Sequence, residues 1–347
     1  MTDTAIIQPI PFGTRRIGPG CPVVVIAEIG INHEGDSQTC ARMIEEAWKA
    51  GADAVKLQTV DPSENYAPGT PSFEIYSKAQ LTPEKTAEMF EFSKRLGLDV
   101  FTTAGDFRTL DWVDNLVPAA HKISSGLLTH IPIIEYASKT SRSVLISTGM
   151  GEPSDIDAAV TAAKKSGVSH LGLFQCTSLY PAPPETLNLA TVSWLKERYH
   201  VPTGFSDHSL GTEAAALSVA AGANMIEKHF TLESSRTGYD HAVALDPSEF
   251  TEMVQQVRTV ETIMGCAEKT LTETEQKNAS QLRRCIVARN KILAGHIIEA
   301  NDISILRTGT LEGKLPPSEY RLVIGARVKR DLEQFQPLTP DLIEKSS

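Results

Sequence analysis

The sequence predicts an α/β chain: a closed parallel (β/α)8 TIM barrel followed by a small separate module. Three observations carry this. Short β-branched runs alternate eight times with longer amphipathic stretches between residues 22 and 265. Helix-to-strand junctions such as 50–54 (AGADA) and 221–224 (AGAN) place Gly where a helix ends in a left-handed turn. After residue 264 the alternation stops, and a polar stretch leads into a segment of short strands and turns. An open doubly wound sheet would give similar alternation, but no GxGxxG follows the first strand.

The strands are expected at 23–28, 54–58, 99–103, 121–124, 143–147, 171–175, 203–206 and 225–229. The helices between them are expected at 37–50, 83–96, 107–116, 131–139, 153–166, 185–199 and 212–221, with an eighth at 247–264. Residues 5–17 read as a hairpin closing the barrel's lower end. The domains follow: a barrel over 1–265, a linker with some helix over 266–282, and a module over 283–347. That module is near the size at which a core becomes marginal, so docking on something larger would stabilise it.

Composition limits the function classes. A hydrophobic fraction of 41% and a charged fraction of 22% are ordinary for a soluble globular protein. A net charge of −10 argues against nucleic acid or an anionic membrane as partner, though not against a small anion met by local lysines. The N-terminus lacks a signal-peptide pattern, and the apolar runs fall far short of the ~20 residues that span a bilayer. Five scattered cysteines without a CxxC fit reduced thiols and a cytoplasmic location.

Barrel enzymes work at the C-terminal ends of their strands, and nearly every predicted strand ends in a polar group. Glu28 closes the first. Lys56 and Gln58 share a face of the second by period-two alternation. Thr103, Lys122, Ser125 and Ser147 follow on the next three. Ser178 and Tyr180 come after the sixth, Ser206, Asp207 and His208 at the seventh, and Glu227, Lys228 and His229 at the eighth. Lysines with hydroxyls suit a phosphate and a carboxylate. Two histidines from adjacent strands suit a divalent metal with open positions. Structural readings also stand: Glu28 with Lys56 as an ion pair, Asp207 orienting a ligand histidine, Gln58 and Tyr180 as barrel filling, and Asp240 or His241 capping the helix at 247.

Seven ordered motifs carry a family resemblance: 27–35 (AEIGINHEG), 51–58 (GADAVKLQ), 122–125 (KISS), 147–150 (STGM), 175–181 (QCTSLYP), 205–209 (FSDHS) and 227–231 (EKHFT). On them the chain resembles the sialic acid synthase family, the synthases of N-acetylneuraminic, legionaminic and pseudaminic acids. The segment 286–309, with 292–296 (ILAGH) and 306–309 (LRTG), resembles that family's antifreeze-like SAF domain, of β-clip type. The resemblance implies a metal-dependent condensation of phosphoenolpyruvate with an N-acetylmannosamine-type 2-acetamido sugar aldehyde. Carbon–oxygen cleavage then yields a nonulosonic acid and phosphate.

It also implies the roles. His208 and His229 match ligands of manganese or magnesium. Lys56, Thr103, Lys122, Ser125, Ser147, Ser178 and Ser206 match the phosphoenolpyruvate set, with Ser178 where some members carry Asn. Gln58, Tyr180 and Asp240 match sugar-facing positions, and Glu28 or Asp240 handles the water. Arg307 matches an arginine that a partner subunit sends to the sugar in a domain-swapped homodimer. Two departures stand out. Leu127 occupies a position where an acidic residue is common, and 103–106 (TAGD) lacks the usual Pro-Phe. Three other readings fit the residues less fully: a 3-deoxy-octulosonate or heptulosonate type of synthase, a metal-dependent pyruvate aldolase, and a non-catalytic sugar-binding protein.

Overall fold

The computed structural model describes residues 7–344. Ten strands belong to the first part of the chain. β1 (Ile10–Phe12) and β2 (Arg15–Ile17) pair as an antiparallel hairpin, with Ile10 opposite Ile17. β3 (Val24–Gly30), β4 (Ala54–Thr59), β5 (Asp99–Ala104), β6 (His121–Ile123), β7 (Val144–Ser147), β8 (Leu171–Cys176), β9 (Thr203–Asp207) and β10 (Met225–His229) form the barrel. Neighbours in sequence are neighbours in space, all pairs are parallel, and β10 closes on β3. This is the predicted TIM barrel.

Residue spacing makes the surrounding helices. In Ser37–Lys49, Asp36 caps the amides of Gln38 and Thr39, and Cys40, Met43, Ile44 and Ala47 recur on the buried face. Gly51 and Gly222 follow two of these helices with φ of 89° and 99°, a turn that costs little without a Cβ. The expected helix at 185–199 divides into a 3-10 turn, Pro184–Thr186, and Ala190–Tyr199. Asn188, at φ 47°, separates them. Pro62–Asn65 and Pro71–Ala79 are helices that the periodicity did not predict, both in the connection after β4.

Period-two alternation sorts the barrel wall. Val25, Ala27, Val55 and Leu57 pack outward with the helices. Val24, Ile26, Ala54, Phe101, Leu145, Phe174 and Met225 point inward and form one cluster with Ile10, Phe12 and Ile17 of the hairpin. Phe12 meets Phe101 edge to face at 5.2 Å between centroids. The hairpin thus fills the lower end of the barrel as expected; residues 5 and 6 of the predicted segment lie outside the described residues. With the lower layer apolar, the same inward parity delivers polar side chains one layer higher, at the strands' C-terminal ends.

The chain divides into two compact units between Gly265 and Cys266. In the second, Glu273–Leu282 is a helix with a Thr272/Glu275 capping box and no buried residue. β11 (Cys285–Ala288) and β12 (Ile303–Leu306) pair antiparallel, and Ile286, Ile292, Ile298, Val323, Leu332 and Leu338 belong to a core of this unit's own. Arg307 follows β12 and is exposed. Among the described residues no helix is long and apolar enough to cross a membrane.

Candidate active site

Inward parity at the upper layer selects Glu28 on β3, Lys56 and Gln58 on β4, Thr103 on β5, Lys122 on β6, Ser147 on β7 and Cys176 on β8. It continues with Ser206 on β9, His208 just beyond it, and Glu227 and His229 on β10. All of them line one cavity of about 430 Å³, together with Ser125, Ser178 and Tyr180. Of the barrel residues assigned from sequence, Asp240 alone stands outside the cavity lining. Its Oδ2 lies 3.7 Å from His229 Nδ1, beside the site.

Glu227 is the hub. Its carboxylate takes Lys56 Nζ at 2.8 Å, Lys122 Nζ at 3.0 and 3.1 Å on its two oxygens, and the Ser206 hydroxyl at 3.0 Å. Lys56 also reaches Glu28 at 3.3 Å, so the Glu28–Lys56 pair exists as one edge of a larger network. All four charged groups are buried. Burial pushes Glu28 up to about 7, against the pull of Lys56. It pushes Lys122 down to about 8, against the pull of Glu227. Burial acts the same way on Lys56 and Glu227, but their opposite charges outweigh it: Lys56 is held above the usual amine range and Glu227 below the usual carboxylate range.

Around the hub are groups built to receive something. The hydroxyls of Thr103 and Ser147 are buried without a hydrogen-bond partner, an arrangement proteins usually avoid unless a ligand completes it. Ser125 Oγ accepts from Gly149 N at 3.1 Å. A Cβ on Gly149 would overlap the hydroxyls of Ser125 and Ser178, so only glycine lets the backbone approach them here. Gln58 donates to Glu28 at 2.8 Å and accepts from the Tyr76 hydroxyl at 2.5 Å. Tyr180 stacks on His208 at 4.1 Å between centroids and is half exposed. Neither Gln58 nor Tyr180 is barrel filling.

The two histidines present a donor set for a divalent cation. Nδ1 of His208 donates to Thr177 O at 2.8 Å, which leaves Nε2 with the lone pair. Nδ1 of His229 is buried with no hydrogen-bond partner, and burial, with His208 and Lys56 nearby, holds this ring far toward its neutral form. The ring centroids are 5.3 Å apart and the Asp240 carboxylate lies beside His229, so these are the side chains that would hold a divalent cation.

Parity corrects one reading. Asp207 does not orient His208: it points outward from β9, taking Lys228 Nζ at 2.9 Å and the amide and hydroxyl of Ser209. Both side chains of the Asp207–Lys228 pair have 0% exposure. The same parity would have singled out Glu227, two residues before His229. Sequence reading also passed over Asn65, Tyr66 and Tyr76, which line the cavity from the two unpredicted helices. Their signal was present: Asp61-Pro62 and Thr70-Pro71 are N-cap–Pro pairs, and both side chains do cap. The helix at 247 is capped by Asp246, so Asp240 and His241 are free of that task.

Beyond β10, the connection to the last barrel helix is pinned to the loop after β3. Asn32, 1% exposed, donates to Phe230 O at 3.1 Å and accepts from Asp240 N at 3.0 Å. His241 lies between Thr231 Oγ1 at 2.7 Å and Glu34 Oε1 at 3.2 Å. His33 accepts from Gly35 N and is part of the turn, outside the cavity lining.

Residues 43–269 match the model of the NeuB family, and residues 283–344 match that of the SAF domain. The chain is 36% identical to an uncharacterised protein of Methanocaldococcus jannaschii, over 94% of this chain and 96% of that protein. It is 32% identical to the N,N'-diacetyllegionaminic acid synthase of Legionella pneumophila, over 96% and 98%. A crystal structure of N-acetylneuraminic acid (sialic acid) synthetase from Leptospira borgpetersenii matches with a TM-score of 0.76 and 31% identity, covering 79% of this chain and 95% of that one.

Proposed function

The chain belongs to the NeuB family and is a nonulosonic acid synthase, and we propose that it joins phosphoenolpyruvate to an N-acetylmannosamine-type 2-acetamido sugar. In this reaction C3 of phosphoenolpyruvate bonds to the aldehyde carbon of the open-chain sugar. Water adds at C2, and phosphate leaves by C–O cleavage. One phosphoenolpyruvate, one sugar and one water give one acid and one phosphate.

One observation carries the reading: two buried lysines and two unpartnered buried hydroxyls, Thr103 and Ser147, face the same cavity as the histidine pair. Lys56 and Lys122 balance the phosphate and carboxylate charges, and Thr103, Ser125, Ser147, Ser178 and Ser206 orient the oxygens. Gln58, Tyr180 and Asp240 face the sugar. Glu28, with a proton affinity near neutrality, takes a proton from the attacking water; Asp240 is the second carboxylate able to do so. His208 and His229 would hold Mn2+ or Mg2+, which when bound supplies Lewis-acid polarisation of the aldehyde oxygen. Arg307 of a partner subunit, in a domain-swapped homodimer, completes the sugar contacts by the family resemblance.

A second acceptor class is favoured by a specific feature. Leu127, Val60 and Met150 are apolar members of the cavity wall, and a hydroxyl set against any of them would lose hydrogen bonds. A deoxy diacetamido sugar, leading to a legionaminic or pseudaminic acid, suits that wall. The experiment is a panel of acceptors with phosphate release and product mass as readouts. Phosphate released from phosphoenolpyruvate only when a 2-acetamido sugar is present supports the synthase. Turnover of pyruvate itself, with no phosphate release, would make the chain an aldolase. Preference for the deoxy sugar would select the second acceptor class.

A further inference from the structure

Glu227 lies at the floor of the cavity, yet its charge has the wrong sign for binding an anion. We propose that Glu227 is a positioning residue for phosphoenolpyruvate, the single carboxylate that holds Lys56, Lys122 and Ser206 in the places from which they grip the substrate. The proposal rests on the reading of the two lysines as the anion site.

The geometry separates this role from a plain structural strut. Glu227 has three donors on two oxygens, and all three belong to cavity-lining residues from three different strands: Lys56 on β4, Lys122 on β6 and Ser206 on β9. Lys122 spans both oxygens at 3.0 and 3.1 Å, which fixes its direction as well as its distance. The Asp207–Lys228 pair shows what a strut looks like in this wall: outward-facing, with no exposure and no cavity-lining partner. Charge gives the physical reason for the arrangement. Two ammonium groups brought together in a buried site lower each other's proton affinity, and desolvation adds to the effect. Lys122 faces Glu227, Lys56, Glu28 and Cys176 and already sits at about 8. Below about pH 8, Glu227 keeps both lysines charged, so the trio carries one net positive charge with two ammonium heads available. Without the carboxylate the trio would shed a proton instead. The net charge would stay the same, but one of the two heads would be neutral and undirected.

The test compares Glu227→Gln and Glu227→Asp with the parent enzyme in sugar-dependent phosphate release, fitting KM for phosphoenolpyruvate and kcat at about pH 7 and about pH 9. At the lower pH, where the parent's Lys122 is charged and the variant's has lost the carboxylate that raises it, Glu227→Gln should raise KM by about tenfold or more, with a smaller change in kcat. At the higher pH, where Lys122 gives up its proton in the parent too, the rise should shrink to about threefold or less. Glu227→Asp should fall between the two, and it is read by the same criteria if the glutamine variant does not fold. A KM equal to or below the parent's at the lower pH, or a rise of the same size at both, overturns the proposal. Lys56→Ala and Lys122→Ala are measured alongside. If neither lysine variant raises KM, the anion-site reading itself fails. If they do and Glu227→Gln does not, only the positioning role fails.

Discussion

At the residue scale, the sharpest contrast is between two acidic residues on neighbouring strands. Ser206 stands opposite Glu227 in the register of β9 and β10, and Asp207 stands opposite Lys228. One step along the strand turns a side chain from the cavity to the outer wall. The Lys228 ammonium spends its hydrogen bonds on Asp207 Oδ2 and Ser209 O, away from the substrate. Removing one partner of such a pair leaves the other charge buried and alone, which costs about 3–5 kcal/mol. Asp207→Ala should therefore lose about that much stability in denaturant unfolding while KM for phosphoenolpyruvate stays at the parent value; Asp207→Asn serves if the alanine variant does not fold. A variant of unchanged stability but altered metal affinity would return Asp207 to the role of orienting His208. This parity was legible in the sequence, since Lys56 and Gln58 were placed by it. What it could not supply is partner identity. Three strands deliver Lys56, Lys122 and Ser206 to Glu227, and that convergence depends on barrel closure.

At the scale of elements, strands and helices set by strong periodicity appear where the sequence puts them: 225–229 and 247–264 match the observed β10 and Pro247–Met264. Short helices in connections were not legible from periodicity. Pro62–Asn65 and Pro71–Ala79 have four and nine residues, too few for an apolar stripe to repeat. Their cap signals were the readable part. The connection after β10 has no regular element until the 3-10 turn His241–Val243, so its shape depends on side chains from elsewhere. Asn32 is the main one, because it bonds to backbone at both ends of the stretch from Phe230 to Asp240. Asn32→Ala would leave one buried backbone group, Phe230 O, and one partly buried one, Asp240 N, unpaired, a loss of about 1–3 kcal/mol for the buried one if water cannot replace the amide. Asp240 would then no longer be held beside His229. Titration with Mn2+ should show affinity weakened by about 10–100-fold in Asn32→Ala, as when a second layer of support is removed from a metal ligand. Unchanged Mn2+ affinity together with lowered stability would restrict Asn32 to the fold.

At the scale of the whole molecule, the two units differ in how they satisfy themselves. The barrel encloses its core between a ring of helices and a plugged lower end. The second unit has a core of short strands and turns, with several large apolar side chains exposed, including Leu293 at 61% and Phe335 at 55%. Its size had already pointed to docking on a larger body, and the family resemblance adds a domain-swapped homodimer in which Arg307 serves the partner's sugar site. That proposal makes a quantitative prediction that a single subunit cannot mimic. Lys56→Ala disables the barrel that carries it, whereas Arg307→Ala would disable the barrel of the other subunit. In a mixed dimer of the two variants, one site then bears both lesions and the other bears neither. Unfolding and refolding an equal mixture makes about half of the dimers mixed, and so restores about a quarter of the parent activity from two inactive stocks. If Arg307 instead served the barrel of its own chain, every site in every dimer would carry one lesion. The mixture would then stay as inactive as its components, whatever its oligomeric state by light scattering.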